Sequence, residues 1–177
     1  MNNKEMALLG LLAENPKHGY QLEADIEARG MREWTEIGFS SIYYLLNKIE
    51  KAGWIISAAE NSAEGPSRRV YRLTESGLNA LHSAITQRLE NPNPNSGDFQ
   101  LALAFLPILT PEETKQALSR NKTRLEQSLA RVQSRLEAQS PLPPHVVTLF
   151  EYSLHRMQAE LAWLNDYLDH RKKNDHG

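Results

Sequence analysis

The chain has 177 residues, 40% hydrophobic and 24% charged, a balance that supports one generous domain or a small domain with an appendage. It contains no cysteine, which excludes a disulfide framework, thiol catalysis and cysteine-ligated metal, and fits a reducing cytoplasm. Lys and Arg number 20 against 22 Asp and Glu, for a formal charge of −2, so a nucleic-acid partner would have to be met by a local basic patch.

In chain order, Met6, Leu8, Leu9 and Leu12 predict a short, largely buried helix from Glu5 to Leu12, broken by Asn15-Pro16-Lys17. A second helix is expected from His18 or Gly19 to Arg29, with Tyr20, Leu22 and Ile26 as its apolar positions and Gly30 as its stop. A third begins after Gly38, capped by Ser40 or Ser41, and carries Ile42, Leu45, Leu46 and Ile49 on one face before ending at Ala52-Gly53. Two strand segments, Trp54 to Ala58 and Arg69 to Leu73, flank the turn-rich stretch Glu60 to Ser67 and predict a β-hairpin. Thr74 then caps a fourth helix whose buried stripe is Leu78, Leu81, Ile85 and Leu89. Three helices, a hairpin and a further helix is the order of a winged helix-turn-helix.

Asn91-Pro92-Asn93-Pro94-Asn95-Ser96-Gly97 reads as a linker, because two X-Pro steps forbid helix continuation. The expected division is 1–90 for the winged helix-turn-helix, 91–97 for the linker and 98–177 for a helical domain. That last part opens with a short helix around Phe99 to Leu106. A long helix follows from the cap at Thr110-Pro111-Glu112-Glu113, with Leu118, Leu125, Leu129, Val132 and Leu136 in its stripe. A last helix, His145 to His170, carries Phe150, Leu154, Met157, Leu161, Leu164 and Leu168. Joined by the Pro-rich corner Ser140 to Pro144, the two should fold back antiparallel. Two helices alone cannot bury both stripes fully, so Leu118, Leu125, Leu129, Phe150, Leu154, Met157, Leu161, Leu164 and Leu168 are the expected dimerisation positions, with packing only on each other and on the N-terminal domain as the alternative. The fold class is therefore mainly α with a small β-hairpin wing, followed by an antiparallel helical dimerisation domain.

The outward face of the third helix holds Tyr44, Asn47, Lys48 and Lys51, with Ser40 at its start and Tyr43 at the flank, most of that ring expected against the second helix. Hydroxyls, an amide and ammoniums on one helix face suit base edges and phosphates in a major groove, Asn47 matching adenine. A polar face is also what any solvated helix shows. Arg68, Arg69 and Arg72 cluster on the return strand of the hairpin, as a wing over a sugar–phosphate backbone requires, although a charged hairpin is commonly just solvated. His18 opens the second helix, where free N–H groups face phosphate.

These pieces together resemble the PadR family of transcriptional regulators: Leu8 to Leu12, His18-Gly19-Tyr20, Ser40 to Tyr43, Ile49 to Ile55 and Arg69 to Gly77, in that order and spacing. The resemblance spans roughly residues 4–82. It implies a cytoplasmic homodimer that binds double-stranded DNA and represses nearby genes, with release by a small-molecule effector. It also implies that Ser40, Ser41 and Tyr43 start the recognition helix and that Tyr20 and the wing arginines approach the backbone. Many family members carry Pro where this chain has Tyr44, a departure that leaves the fold untouched and means that the family's base specificity does not carry over to this chain.

Nothing in the sequence points to an enzyme, a cofactor or a metal site: the six histidines are scattered, and no phosphate loop or nucleophile elbow is present. The longest apolar run, Leu101 to Leu109, falls far below the roughly 20 residues that cross a bilayer, so no membrane partner is expected. Trp34 and Trp163 are candidates for a flat apolar slot that would take a small aromatic effector, with core or interface packing as the alternative. The competing functional reading is a winged-helix module for protein–protein interaction, which the near-neutral charge favours and the wing arginines disfavour.

Overall fold

A computed structural model describes residues 1–35, 42–60, 68–94, 96–138 and 141–174; the side chains of Glu33, Trp34, Arg68 and residues 170–174 lie outside that description. It divides into two compact units, Met1–Thr110 and Pro111–Gly177. The expected linker at 91–97 thus lies inside the first unit. The physical reason is Phe105, which is 4% exposed and lies on α1 (Asn3–Glu14), where a Cβ at Gly10 would meet the Phe105 ring at 2.3 to 2.5 Å. That close approach ties α6 (Asp98–Ala104) and the following 3-10 turn (Leu106–Ile108) to the N-terminal core.

Helix α1 is the centre of the first unit, buried continuously from Glu5 to Leu12. It begins two residues earlier than the sequence periodicity indicates because Asn2 and Glu5 form a capping box: Glu5 N donates to Asn2 Oδ1 at 2.8 Å and Asn2 N donates to Glu5 Oε2 at 2.9 Å. After Pro16 the chain runs extended as β1 (Lys17–His18), a strand not anticipated from sequence because two residues carry no periodicity. Helix α2 (Gly19–Ala28) follows and closes at Gly30, whose φ of 60° is the left-handed conformation of a helix stop. A short helix α3 (Arg32–Thr35), also unanticipated, precedes α4 (Ile42–Lys51). On α4 the buried residues are Ile42, Leu45, Leu46 and Ile49, the stripe that the 3.6-residue period demands.

Strands β2 (Ile55–Glu60) and β3 (Arg68–Leu73) pair antiparallel, with Ile55 opposite Leu73 and Ser57 opposite Tyr71. Strand β1 adds to the other edge of β3, giving a three-stranded sheet of order β1-β3-β2 instead of a bare hairpin. Thr74 caps α5 (Glu75–Glu90), accepting from Gly77 N at 3.0 Å and donating to Gly53 O at 2.7 Å. The buried positions of α5 are Gly77, Leu81, Ala84, Ile85 and Leu89. Leu78, expected in that stripe, is 42% exposed, because the first turn of α5 meets the Trp54 backbone through Gly77.

In the second unit α7 (Pro111–Ala138) and α8 (Pro144–Asn174) pack on each other. Residues 115–126 of α7 share a cleft with residues 165–169 of α8, the start of one helix beside the end of the other, as an antiparallel pair requires. Leu118 and Leu164 are fully buried. Leu125, Leu129, Phe150, Leu154, Met157, Leu161 and Leu168 are only half-buried.

Candidate nucleic-acid interface

The first turn of α2, the outward side of α4 and the strand β3 converge on an open cleft of about 730 Å³, lined by His18, Gly19, Tyr20, Tyr43, Asn47, Arg69 and Tyr71. Local sequence explains each wall. Pro16 prevents α1 from continuing, β1 pairs with β3, and His18 then takes the N-cap position of α2, its backbone N–H donating to Gln21 Oε1 at 2.8 Å. Gly19 lets α4 come close: a Cβ there would meet Tyr43 Cε1 at 2.7 Å. Tyr43 and Asn47 lie four residues apart and so stack along one side of α4. Along β3, Arg69 and Tyr71 are two apart and share one face of the strand.

Tyr20 is 48% exposed and stacks on the His18 ring, with centroids 5.3 Å apart and planes 12° from parallel. Tyr43 is 54% exposed, so its ring leans on the second helix without entering the core, against the expectation that most of it would be packed away. Tyr44, at 70% exposed, points clear of the protein. Tyr71 forms the cleft floor and is buried; burial pushes its phenol up, against the opposing pull of the Arg69 guanidinium beside it. Neither Gly19 nor Tyr71 stood among the sequence-derived candidates. The alternation Arg69-Val70-Tyr71, read as a strand, is the signal that would have placed Tyr71 beside Arg69.

The candidate cations divide. Arg69 lines the cleft, whereas Arg72, three residues on, leaves the opposite face of β3 and stands across from the exposed Ile56. Lys51 is exposed at the C-terminal end of α4. Lys48 is exposed along its stem, but its ammonium lies 2.6 Å from the buried carboxylate of Glu5 on α1. Burial alone would raise the Glu5 carboxyl, yet the hydrogen bonds from Lys48 and from Asn2 N outweigh it and hold Glu5 below the usual carboxylate range. The same bond raises the Lys48 ammonium. Lys48 is therefore a strut docking α4 on α1 as well as a surface cation. Ser40 and Ser41 lie outside the described residues, as do the side chains of Trp34 and Arg68.

On α8, Leu164 is fully buried, Phe150, Leu154, Met157, Leu161 and Leu168 are half-buried, and Leu168 lines a cleft shared with α7. A second face of α8 is left open: Leu149 is 65% exposed, Tyr152 70% and Trp163 39%, spaced i, i+3 and i+14 on one side of the helix. Trp163 stacks on Tyr167 at 5.2 Å. Among the described residues no His, Asp or Glu cluster is arranged to hold a metal ion, and no helix is long and apolar enough to cross a membrane.

The family model described as the transcriptional regulator PadR-like family matches residues 8–83, the span from α1 into α5. Over 172 residues the chain is 24% identical to the negative transcriptional regulator PadR of Bacillus subtilis (strain 168), covering 92% of this chain and 93% of that protein. The crystal structure of Bacillus subtilis PadR with operator DNA is 22% identical and covers 93% of this chain and 97% of its own, at a TM-score of 0.45. The structure of the same protein with p-coumaric acid is also 22% identical, covering 95% and 98% at a TM-score of 0.44.

Proposed function

Through residues 8–83 this chain belongs to the PadR-like family of transcriptional regulators, and we propose that it acts by binding operator DNA as a homodimer and repressing the genes beside it. The observation that carries the reading is the cleft where the α2 N-terminus, Tyr43 and Asn47 of α4, and Arg69 of the wing face the same space. In this reading α4 enters the major groove, Asn47 reads a base edge and Tyr44 and Lys51 flank it. Tyr20, Tyr43, Arg69 and the backbone N–H groups opening α2 hold phosphate. Ser40, Ser41 and Arg68 belong to the same surface by sequence position, and Arg72 would reach DNA only around the far side of the wing.

Repression is supported by the 24% identical relative, a negative transcriptional regulator. The homodimer is supported by the open Leu149–Tyr152–Trp163 face of α8, an apolar strip of the kind that a second copy covers. Release by a small aromatic effector is the last element of the proposal. The half-exposed Trp163, stacked on Tyr167, is the aromatic platform that supports it.

Hydroxyl-radical footprinting on the chain's own upstream DNA tests the reading. A two-fold dimer of this kind protects two segments about 34–36 Å apart on one side of the duplex. A single protected segment, or none, contradicts it. The protein-interaction reading draws on the near-neutral charge and on the engagement of Lys48 by Glu5; it predicts no protection at any salt concentration.

A further inference from the structure

One side chain bridges the start of α2 and both strands β2 and β3. The His18 ring stacks on Tyr20 of α2, its Nδ1 lies 3.0 Å from the Arg69 carbonyl oxygen of β3, and its Nε2 lies 3.3 Å from Glu60 Oε2 of β2. The ring is 17% exposed and the Glu60 side chain 64%. A carbonyl and a carboxylate are both acceptors, so each ring nitrogen has to carry a proton to satisfy its partner, and only the imidazolium has two. Glu60 ends β2 opposite Arg68. An unpaired carboxylate there would stand beside the surface that faces phosphate and repel it.

We propose that His18, as an imidazolium, holds the Glu60 carboxylate at the end of β2 and cancels its charge beside the DNA cleft. The proposal rests on the DNA-binding reading given above and adds a dependence on protonation. The groups facing His18 are Tyr20 from α2, Glu60 from β2 and the Arg69 backbone from β3; the Arg69 guanidinium and the Tyr43 and Tyr71 phenols lie across the cleft. Of these, Glu60 is the carboxylate, and its charge is the one that His18 offsets. Histidine changes charge between about pH 5 and 8, so loss of the proton leaves the Glu60 charge uncompensated and weakens DNA binding.

The test uses the full-length protein, the upstream duplex and three variants. In the wild type the Kd should rise about three- to five-fold from pH 6 to pH 8, the scale of one exposed ion pair. E60Q should bind as tightly at pH 8 as the wild type at pH 6, with the pH dependence gone. H18N retains an amide that can reach the Arg69 carbonyl but not Glu60; it should bind weakly at both pH values. The double variant H18N/E60Q should recover the affinity of E60Q. A merely structural His18 would leave the double variant as weak as H18N, and that outcome overturns the proposal, as does a wild-type Kd independent of pH. A second readout needs no DNA. In ¹⁵N NMR of the histidine rings at pH 6, with H18N assigning the resonance, the His18 Nε2 signal should shift in E60Q; an unchanged signal also overturns the proposal. A shifted signal in a protein that binds no duplex would fault the DNA-binding reading and leave the pairing of His18 with Glu60 intact.

Discussion

Gly19→Ala separates the cleft from the core. The added Cβ would sit 2.7 Å from Tyr43 Cε1, 3.1 Å from Cζ and 3.2 Å from the hydroxyl, whereas carbon atoms in ordinary contact stand about 3.5–4.0 Å apart. The ring therefore has to retreat by about 1 Å. Since Tyr43 is 54% exposed, it can rotate into solvent at a cost of about 0.5–1.5 kcal/mol. Alanine recovers up to about 1 kcal/mol of helix propensity over glycine at the start of α2. The two nearly cancel, so the stability of the variant should stay within about 1 kcal/mol of the wild type. DNA affinity should not. A tyrosine hydroxyl bonded to phosphate is worth about 1.5–3 kcal/mol, roughly a 10- to 150-fold rise in Kd when the ring is displaced. Urea unfolding and fluorescence anisotropy on the same preparation give both numbers. An unchanged Kd in a stable variant would refute a role for Tyr43 at the interface, and a stability loss above about 3 kcal/mol would show that the ring belongs to the core.

Gly77→Ala should behave oppositely: its Cβ would fall 2.0 Å from the Trp54 backbone oxygen and 2.8 Å from the Trp54 carbonyl carbon, atoms that cannot swing away. Overpacking of about 3 kcal/mol or more should exceed the helix gain of about 1 kcal/mol, and urea unfolding reads the difference. The Glu5–Lys48 pair sets a pH window. Glu5 is held below its ordinary value, so its stabilisation is present at neutral pH and disappears as pH falls through the acid range. Lys48 is held above its own, so its share is lost only as pH rises into the strongly alkaline range. Glu5→Gln should thus be less stable than the wild type at pH 7 and equal to it in acid, and a gap that persists in acid would contradict the pairing. Asn47→Ala should narrow the affinity gap between operator and random duplex by about 1–3 kcal/mol while affecting random DNA little, as competition anisotropy can show. Tyr152→Asp should raise the monomer fraction in light scattering if the open face of α8 joins two copies.

The helices with clean 3.6-residue periodicity were legible in the sequence, because burial of Ile42, Leu45, Leu46 and Ile49 on one face leaves a pattern that does not depend on neighbours. The strand β1 was not legible, since its two residues are extended only through pairing with Tyr71 and Val70 of β3, some 50 residues away in sequence. The same limit applied to the cations. Arg69 and Arg72 look alike along the chain, yet a strand sends them to opposite faces, and Lys48 shows its partner only once α1 is folded against α4. On α8 the leucine stripe was visible and its neighbour was not: Leu149, Tyr152 and Trp163 are too few and too widely spaced to read as a second face from sequence alone.

The central claim is that this cleft binds operator DNA specifically. Fluorescence anisotropy of the full-length protein on its own upstream fragment, against a random duplex of equal length at several salt concentrations, tests it most directly. Among the described residues of the proposed interface Arg69 and Lys51 are exposed cations, and Arg68 would add a third by its place in the sequence, so for a dimer log K should fall against log salt with a slope of roughly −4 to −5. The account predicts that slope together with binding to the upstream fragment at least about 10³-fold tighter than to random DNA. Equal affinity for both duplexes, or no binding at low salt, would contradict it.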